Sequence, residues 1–157
     1  MKYSEIISTI ESIHFENNDI IKFVESFNAH NLKEEIRFAK AHKRYKCKFS
    51  TRKPIRALYT LDFNDSDWFI KVNLFTIHRY IDKVYNMSKN IQDIILSGYD
   101  CKDCSPNCKG GVKFKYNNVA YDKCIGVNFN FKNLSSNEWN DVIILAKKEI
   151  EARTNKA

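Results

Sequence analysis

The stretch RYKCKFSTRKPIRALYTLDFNDSDWFIKVNL, residues 44–74, decides the class of the fold. Apolar positions recur there at every second residue. Tyr45, Cys47 and Phe49 alternate with Lys46 and Lys48, and Ile55, Ala57, Tyr59, Leu61 and Phe63 alternate with Arg56, Leu58, Thr60 and Asp62. Trp68, Ile70, Val72 and Leu74 form a third run. A period of two belongs to strands with one buried face. Residues 52–54 and 64–67 are short and built from turn formers, so the three runs read as consecutive strands joined by hairpins.

Over 1–43 the spacing is helical. Ser4 is placed to cap a helix carrying Ile6, Ile7, Ile10 and Ile13, and Asn18 or Asp19 a second with Ile20, Phe23, Val24 and Phe27. Asn31 with Glu34 reads as the reciprocal cap of a third, carrying Leu32, Ile36 and Ala39 or Lys40. Helical spacing returns over 76–98, first with Ile77, Ile81, Val84 and Tyr85, then behind Ser88 with Ile91, Ile94 and Ile95, and Gly98 as the stop. Over 99–157 come a cysteine segment and a strand with Val112, Phe114 and Tyr116. A turn at Asn117-Asn118 and a strand with Ile125, Val127, Phe129 and Phe131 follow. Ser135 and Glu138 then form a capping-box signature for a last helix with Trp139, Val142, Ile143, Ala146 and Ile150 in one stripe. This order predicts a single α+β domain over 1–157. Its core is an antiparallel sheet of about five strands covered on one face by helices, with a four-cysteine metal loop attached.

The 157 residues are 43% hydrophobic and 29% charged, with only four Gly and two Pro, which excludes collagen-like and Pro/Gly-rich disordered chains. No apolar run approaches the roughly 20 residues of a membrane span. Met1 to Glu5 shows no signal-peptide pattern, so a cytoplasmic location is expected. Lys outnumbers Arg 20 to 6, as AT-rich bacterial coding tends to produce.

The net charge of +7 is concentrated. Residues 33–56 hold ten basic side chains against Glu34 and Glu35, a local +8, while the rest of the chain sums to −1. Such a block attracts polyanions or simply solubilises the surface. Lys43, Arg44, Lys46, Lys48, Arg52, Lys53 and Arg56 are therefore candidate contacts to nucleic acid or another polyanion. On the strand pattern, Lys46, Lys48, Arg56, Lys71, Lys113, Lys115 and Lys132 would share the uncovered sheet face with Asp62.

Four of the five cysteines fall as Cys101, Cys104, Cys108 and Cys124, a C-x2-C-x3-C-x15-C arrangement. Three thiolates in one tight loop and a fourth across a hairpin suit a tetrahedral all-sulfur zinc shell. Disulfides, an iron–sulfur cluster and unligated thiols are the alternatives. Four cysteines leave no open coordination position, so a zinc here is structural rather than catalytic. Cys47, on the side of Tyr45 and Phe49, is expected to be buried and inert.

No Gly-rich phosphate loop, G-x-S-x-G elbow or H-E-x-x-H occurs, and His14, His30, His42 and His78 fall on separate segments. Asp62, Asp65 and Asp67 surround a turn and read as turn chemistry. The expectation is a non-catalytic binding module. The alternative is a small-molecule sensor with an aromatic cleft of Tyr59, Trp68, Phe75 and Tyr80.

From Pro54 to Glu149 the chain resembles a group of small proteins of clostridia and related low-GC bacteria. The resemblance rests on the Cys101–Cys108 knuckle with Lys-Gly-Gly after it and on Tyr121-Asp-Lys-Cys124-Ile-Gly. It extends to the Val127–Phe131 strand and to Leu134-Ser-Ser before Trp139. It carries no activity and no functional residue with it; a looser likeness to small bacterial α+β domains, some thought to bind small molecules, supports the fold.

Overall fold

The computed structural model describes residues 2–14, 17–97, 106–107, 114–121 and 128–155. Two helices open the chain, α1 (Lys2–His14) and α2 (Asn18–Glu25), the second capped by Asn17, whose side chain accepts from the Asp19 N–H. Four strands follow: β1 (Lys33–Ala39), β2 (Arg44–Arg52), β3 (Ile55–Phe63) and β4 (Trp68–Asn73). Next come two 3₁₀ turns, at Ile77–Arg79 and Ile81–Asn86, and helix α3 (Lys89–Ser97). Strands β5 (Phe114–Tyr116), β6 (Val119–Tyr121) and β7 (Asn128–Phe131) precede the long helix α4 (Ser136–Thr154). The main sheet is antiparallel throughout, in the order β1-β2-β3-β4-β7.

The expected five-strand count holds, but its membership differs. The segment read as a third helix is β1, which pairs with β2 through Ile36–Cys47 and Phe38–Tyr45 and brings the Phe38 and Tyr45 rings together, tilted, at 4.9 Å. Residues 34, 36 and 38 also satisfy a period of two, and the open hydrogen-bonding edge of β2 selects that period over the helical one. The strand expected at 112–116 leaves the sheet. Its described part, β5, pairs only with β6 in a separate hairpin, turned by Asn117 and Asn118 at φ 49° and 61°. Such a pair of left-handed residues makes a type I′ turn, which Asn tolerates. The expected helix at 76–86 is two 3₁₀ turns broken at Tyr80, whose φ of −137° is not helical. The cap at Ser88 and the Ser135–Glu138 capping box are both present.

One face of the sheet buries Cys47, Phe49, Tyr59, Leu61, Phe63, Ile70, Val72, Phe129 and Phe131. Ile6 and Ile10 of α1, Phe23 of α2, and Trp139, Val142 and Ala146 of α4 complete the same core. Trp139 stacks on Trp68 at 4.6 Å and meets Phe23 edge-on at 5.9 Å, so it joins α4, α2 and the sheet. The expected alternation breaks at a bulge between Phe49 and Ser50, where Leu58 is the extra residue. A bulge reverses which side successive residues take. Ile55, expected inside, is therefore 74% exposed, and Arg56, expected on the open face, lies across the Phe75 ring at 5.1 Å.

Next to that bulge sits a buried ion pair. Arg153 Nε donates to Glu149 Oε1 at 2.8 Å, with the two side chains 2% and 0% exposed. The remaining Arg153 donors reach Thr51 Oγ1 and the carbonyls of Arg56, Ala57 and Asn73. Glu149 Oε2 accepts from Thr76 N–H, Thr76 Oγ1 and Tyr80 Oη at 3.0, 2.8 and 2.5 Å. Phe75 packs under the Arg153 guanidinium at 5.3 Å. Removing one partner of a buried pair strands the other charge, which costs about 3–5 kcal/mol. Arg153→Met is accordingly expected to lower the unfolding free energy by about that amount in denaturant titrations. A variant as stable as wild type would show that the pair does not anchor α4.

Candidate functional site

The face opposite the helices is built by register. Glu35 faces Lys48, Arg37 faces Lys46, Lys46 faces Asp62, and Thr60 lies between Lys48 and Lys71. Asp62 is also opposite Phe69, and Lys71 opposite Asn130. Apart from the buried Asp62 these positions are exposed or half-exposed, so the face is uncovered. Its carboxylates are each shared by two cations. Glu35 takes Lys33 at 3.1 Å and Lys48 at 3.7 Å, Asp62 takes Arg44 and Lys46, and Asp67 takes Arg44 and Lys132, both at 2.5 Å. Among the described residues cations outnumber carboxylates on this face: Lys33, Arg37, Arg44, Lys46, Lys48, Lys71 and Lys132 against those three. Arg37 and Lys71 make no ion pair among the described residues. Between β1, β2 and β3 the surface dips into a depression of about 460 Å³, lined by Glu35, Ile36, Arg37, Lys46, Lys48 and Thr60.

The candidate basic residues do not form one patch. Arg44 is a clamp: its Nε and Nη2 donate to the Asp62 carboxylate and carbonyl, its Nη1 donates to Asp67, and its guanidinium covers Phe69 at 5.4 Å. Lys46 and Lys48 remain on the open face. Lys43 is exposed at the β1–β2 turn with φ 50°. Arg52 and Lys53 sit at the far end of β2, beside a cavity of about 710 Å³ that Pro54, Arg153 and Thr154 complete. The Arg52 Nε and Nη2 are held by the carbonyls of Asn31 and Leu32. A nine-residue strand spans roughly 27 Å at about 3.3 Å per residue, so the linear +8 block is divided between two ends of the sheet. Of the other cations expected on this face, Lys113 lies outside the described residues and Lys115 belongs to the β5–β6 hairpin. Arg37, Lys33 and Arg44 stand on the face instead. Arg37 and Lys33 were hidden by the helical reading of β1, although the Ile36/Phe38 alternation could have revealed them.

The four aromatics proposed as a cleft are held in separate contacts. Tyr59 is a core ring stacked on Phe49 at 4.4 Å, Trp68 lies on Trp139, Phe75 lies beneath Arg56 and Arg153, and Tyr80 binds Glu149. Around residues 64–67 the carboxylates serve the turn and the open face: Asn64 Oδ1 accepts from Ser66 and Asp67 N–H, and Asp67 turns to Arg44 and Lys132. Cys47 is fully buried, and burial, with Asp62 and Glu5 adding to it, pushes its thiol up to about 12, so it stays neutral.

Cys101, Cys104, Cys108 and Cys124 lie outside the described residues. Among the described residues no group of His, Cys, Asp or Glu could hold a metal ion, and no helix is long and apolar enough to cross a membrane. The hairpin that separates the cysteine segments is described. Phe114 pairs with Tyr121, so the chain enters and leaves β5–β6 at one end. Comparison with family models, curated proteins and solved structures finds no match for this chain.

The open face has a titration signature. The Lys132 ammonium, and then the Arg44 guanidinium, hold the Asp67 carboxyl below its ordinary value. A depressed carboxyl contributes stability above its unfolded value of about 3.9 and loses it as pH falls through the lower folded value. An NMR titration is expected to place the Asp67 midpoint below the ordinary carboxyl value of about 3.9, with Lys132→Met raising it. A midpoint indifferent to that substitution would break the assignment.

Proposed function

We propose that the protein is a non-catalytic binding module that takes a polyanion, nucleic acid first, on the uncovered face of its sheet. The observation that supports this is the excess of cations around the depression, with Arg37 and Lys71 unpaired among the described residues. The pairs already present do not prevent it. Lys48 and Glu35 are about half exposed, and an exposed ion pair is worth only about 0–1 kcal/mol, so a phosphate can displace Glu35 from Lys48. Arg44, fixed on two aspartates, acts instead as the brace that keeps the face in register.

The test is a salt titration of affinity for DNA and RNA, comparing wild type with an Arg37→Glu/Lys48→Glu/Lys71→Glu variant. Wild-type affinity should fall steeply with salt, by about 0.7–0.9 in log–log slope for each phosphate contacted. The triple variant should lose most of the affinity and most of the slope. Weak binding at the lowest salt, or equal binding by the variant, would refute the assignment.

We further propose that Cys101, Cys104, Cys108 and Cys124 hold one structural zinc. Their spacing supports this, and so does the hairpin: Cys108 precedes Phe114 by six positions and Cys124 follows Tyr121 by three, on the side where those two residues pair. Protein purified under reducing conditions is expected to carry about one zinc per chain and Cys104→Ser to lose it. Folded, metal-free protein with four titratable thiols would refute the zinc.

A further inference from the structure

A second cavity, of about 240 Å³, lies where α1, the end of α2 and the starts of β1 and the β2–β3 turn meet. It is smaller than the roughly 300–1,000 Å³ of a drug-sized site, which suits a metabolite of few heavy atoms. Its walls carry both signs of charge. The Glu34 carboxylate, half-buried on β1, makes no ion pair or hydrogen bond among the described residues, while Arg52 is fixed in orientation by its bonds to Asn31 and Leu32 and keeps Nη1 uncommitted. Val24, Phe27 and Phe49 back the cavity but are almost wholly buried, so its open lining is mainly polar.

One unpaired polar atom belongs to the same place. Among the described residues four buried side-chain polar atoms have no hydrogen-bond partner: Tyr3 Oη, His30 Nδ1, Tyr59 Oη and Asn73 Oδ1. Tyr3 lines the cavity, and His30 and Tyr59 pack on its wall residue Phe27 at 5.8 and 5.2 Å. Buried polar groups are ordinarily satisfied, so the Tyr3 hydroxyl, without a partner on the cavity wall, points to a polar occupant. The Tyr3 phenol, pushed up to about 12 by burial and then by Glu25 and Glu34, keeps its proton to donate at neutral pH.

We propose that this cavity binds a small zwitterion, a molecule with the ammonium and carboxylate of a free amino acid and a small side chain. The ammonium meets Glu34, and the carboxylate meets Arg52 Nη1 and the Tyr3 hydroxyl. Charge-assisted bonds at both ends favour the zwitterion over molecules carrying only one of the two charges. The site is separate from the basic sheet face and does not depend on it.

Thermal shift and calorimetric titration of the full chain with each of the twenty L-amino acids, at millimolar concentration, test this. A saturable rise in Tm is expected for amino acids with small side chains. The matching carboxylate without the amine, and the amine without the carboxylate, should each bind about tenfold more weakly or worse. Glu34→Gln should weaken the amino acid about tenfold while leaving the amine-free carboxylate unchanged, a split that a merely structural Glu34 would not produce. Tyr3→Phe should weaken both. The Arg37→Glu/Lys48→Glu/Lys71→Glu variant should bind the amino acid as wild type does. No saturable shift with any amino acid, as a cavity holding water alone would give, overturns the proposal. So does equal binding of the single-charge analogues.

Discussion

The buried pair Glu149–Arg153 is the constraint on which the other contacts of the sheet's far end depend. A carboxylate and a guanidinium removed from water are tolerated only when their remaining donors and acceptors are satisfied. That requirement reaches into four segments: Thr51 on β2, Arg56 and Ala57 on β3, Asn73 at the end of β4, and Thr76 and Tyr80 in the connection beyond it. Arg153 reaches those carbonyls where the β2–β3 bulge interrupts the ladder, and Glu149 ties down the segment whose helical spacing breaks at Tyr80. The last turns of α4 thus hold the bulge, the strand ends and the 3₁₀ turns together.

At the other end of the sheet the organising element is Arg44. It lies over Phe69 and bonds to both Asp62 and Asp67, so the cross-strand charges are arranged around a fixed centre. Lys46 and Lys132 complete those carboxylates, while Arg37 and Lys71 stand without partners among the described residues. This is why linear charge overstates the binding surface. Of the residues in the +8 block, some brace the sheet, some serve the far turn through Arg52 and its carbonyl partners, and only a few are left to face solvent on the open side.

Much of the fold was legible from local pattern. The strands β2, β3 and β4 follow from alternation, α4 from the Ser135–Glu138 box, and the β5–β6 turn from Asn117-Asn118, because each of these signals is carried by neighbours in sequence. The expected third helix is a strand because Leu32, Ile36 and Ala39 fit a helical stripe only as well as Ile36 and Phe38 fit a strand. The unpaired edge of β2, which chose between them, is a long-range partner. The face assignment of Ile55 and Arg56 failed for a related reason, since one bulged residue inverts every position beyond it.

The sequence by itself determined an α+β chain, its antiparallel hairpins, the buried and inert character of Cys47, and the spacing of four cysteines suited to zinc. These follow from period, capping chemistry and thiolate geometry, all of which act over short stretches of chain. Only the tertiary structure decided which basic residues share a surface, that Tyr59, Trp68, Phe75 and Tyr80 serve separate contacts, and that Glu34 and Arg52 meet across one cavity. Cross-strand register and helix packing bring residues far apart in sequence within a few ångströms, and no local pattern encodes that distance.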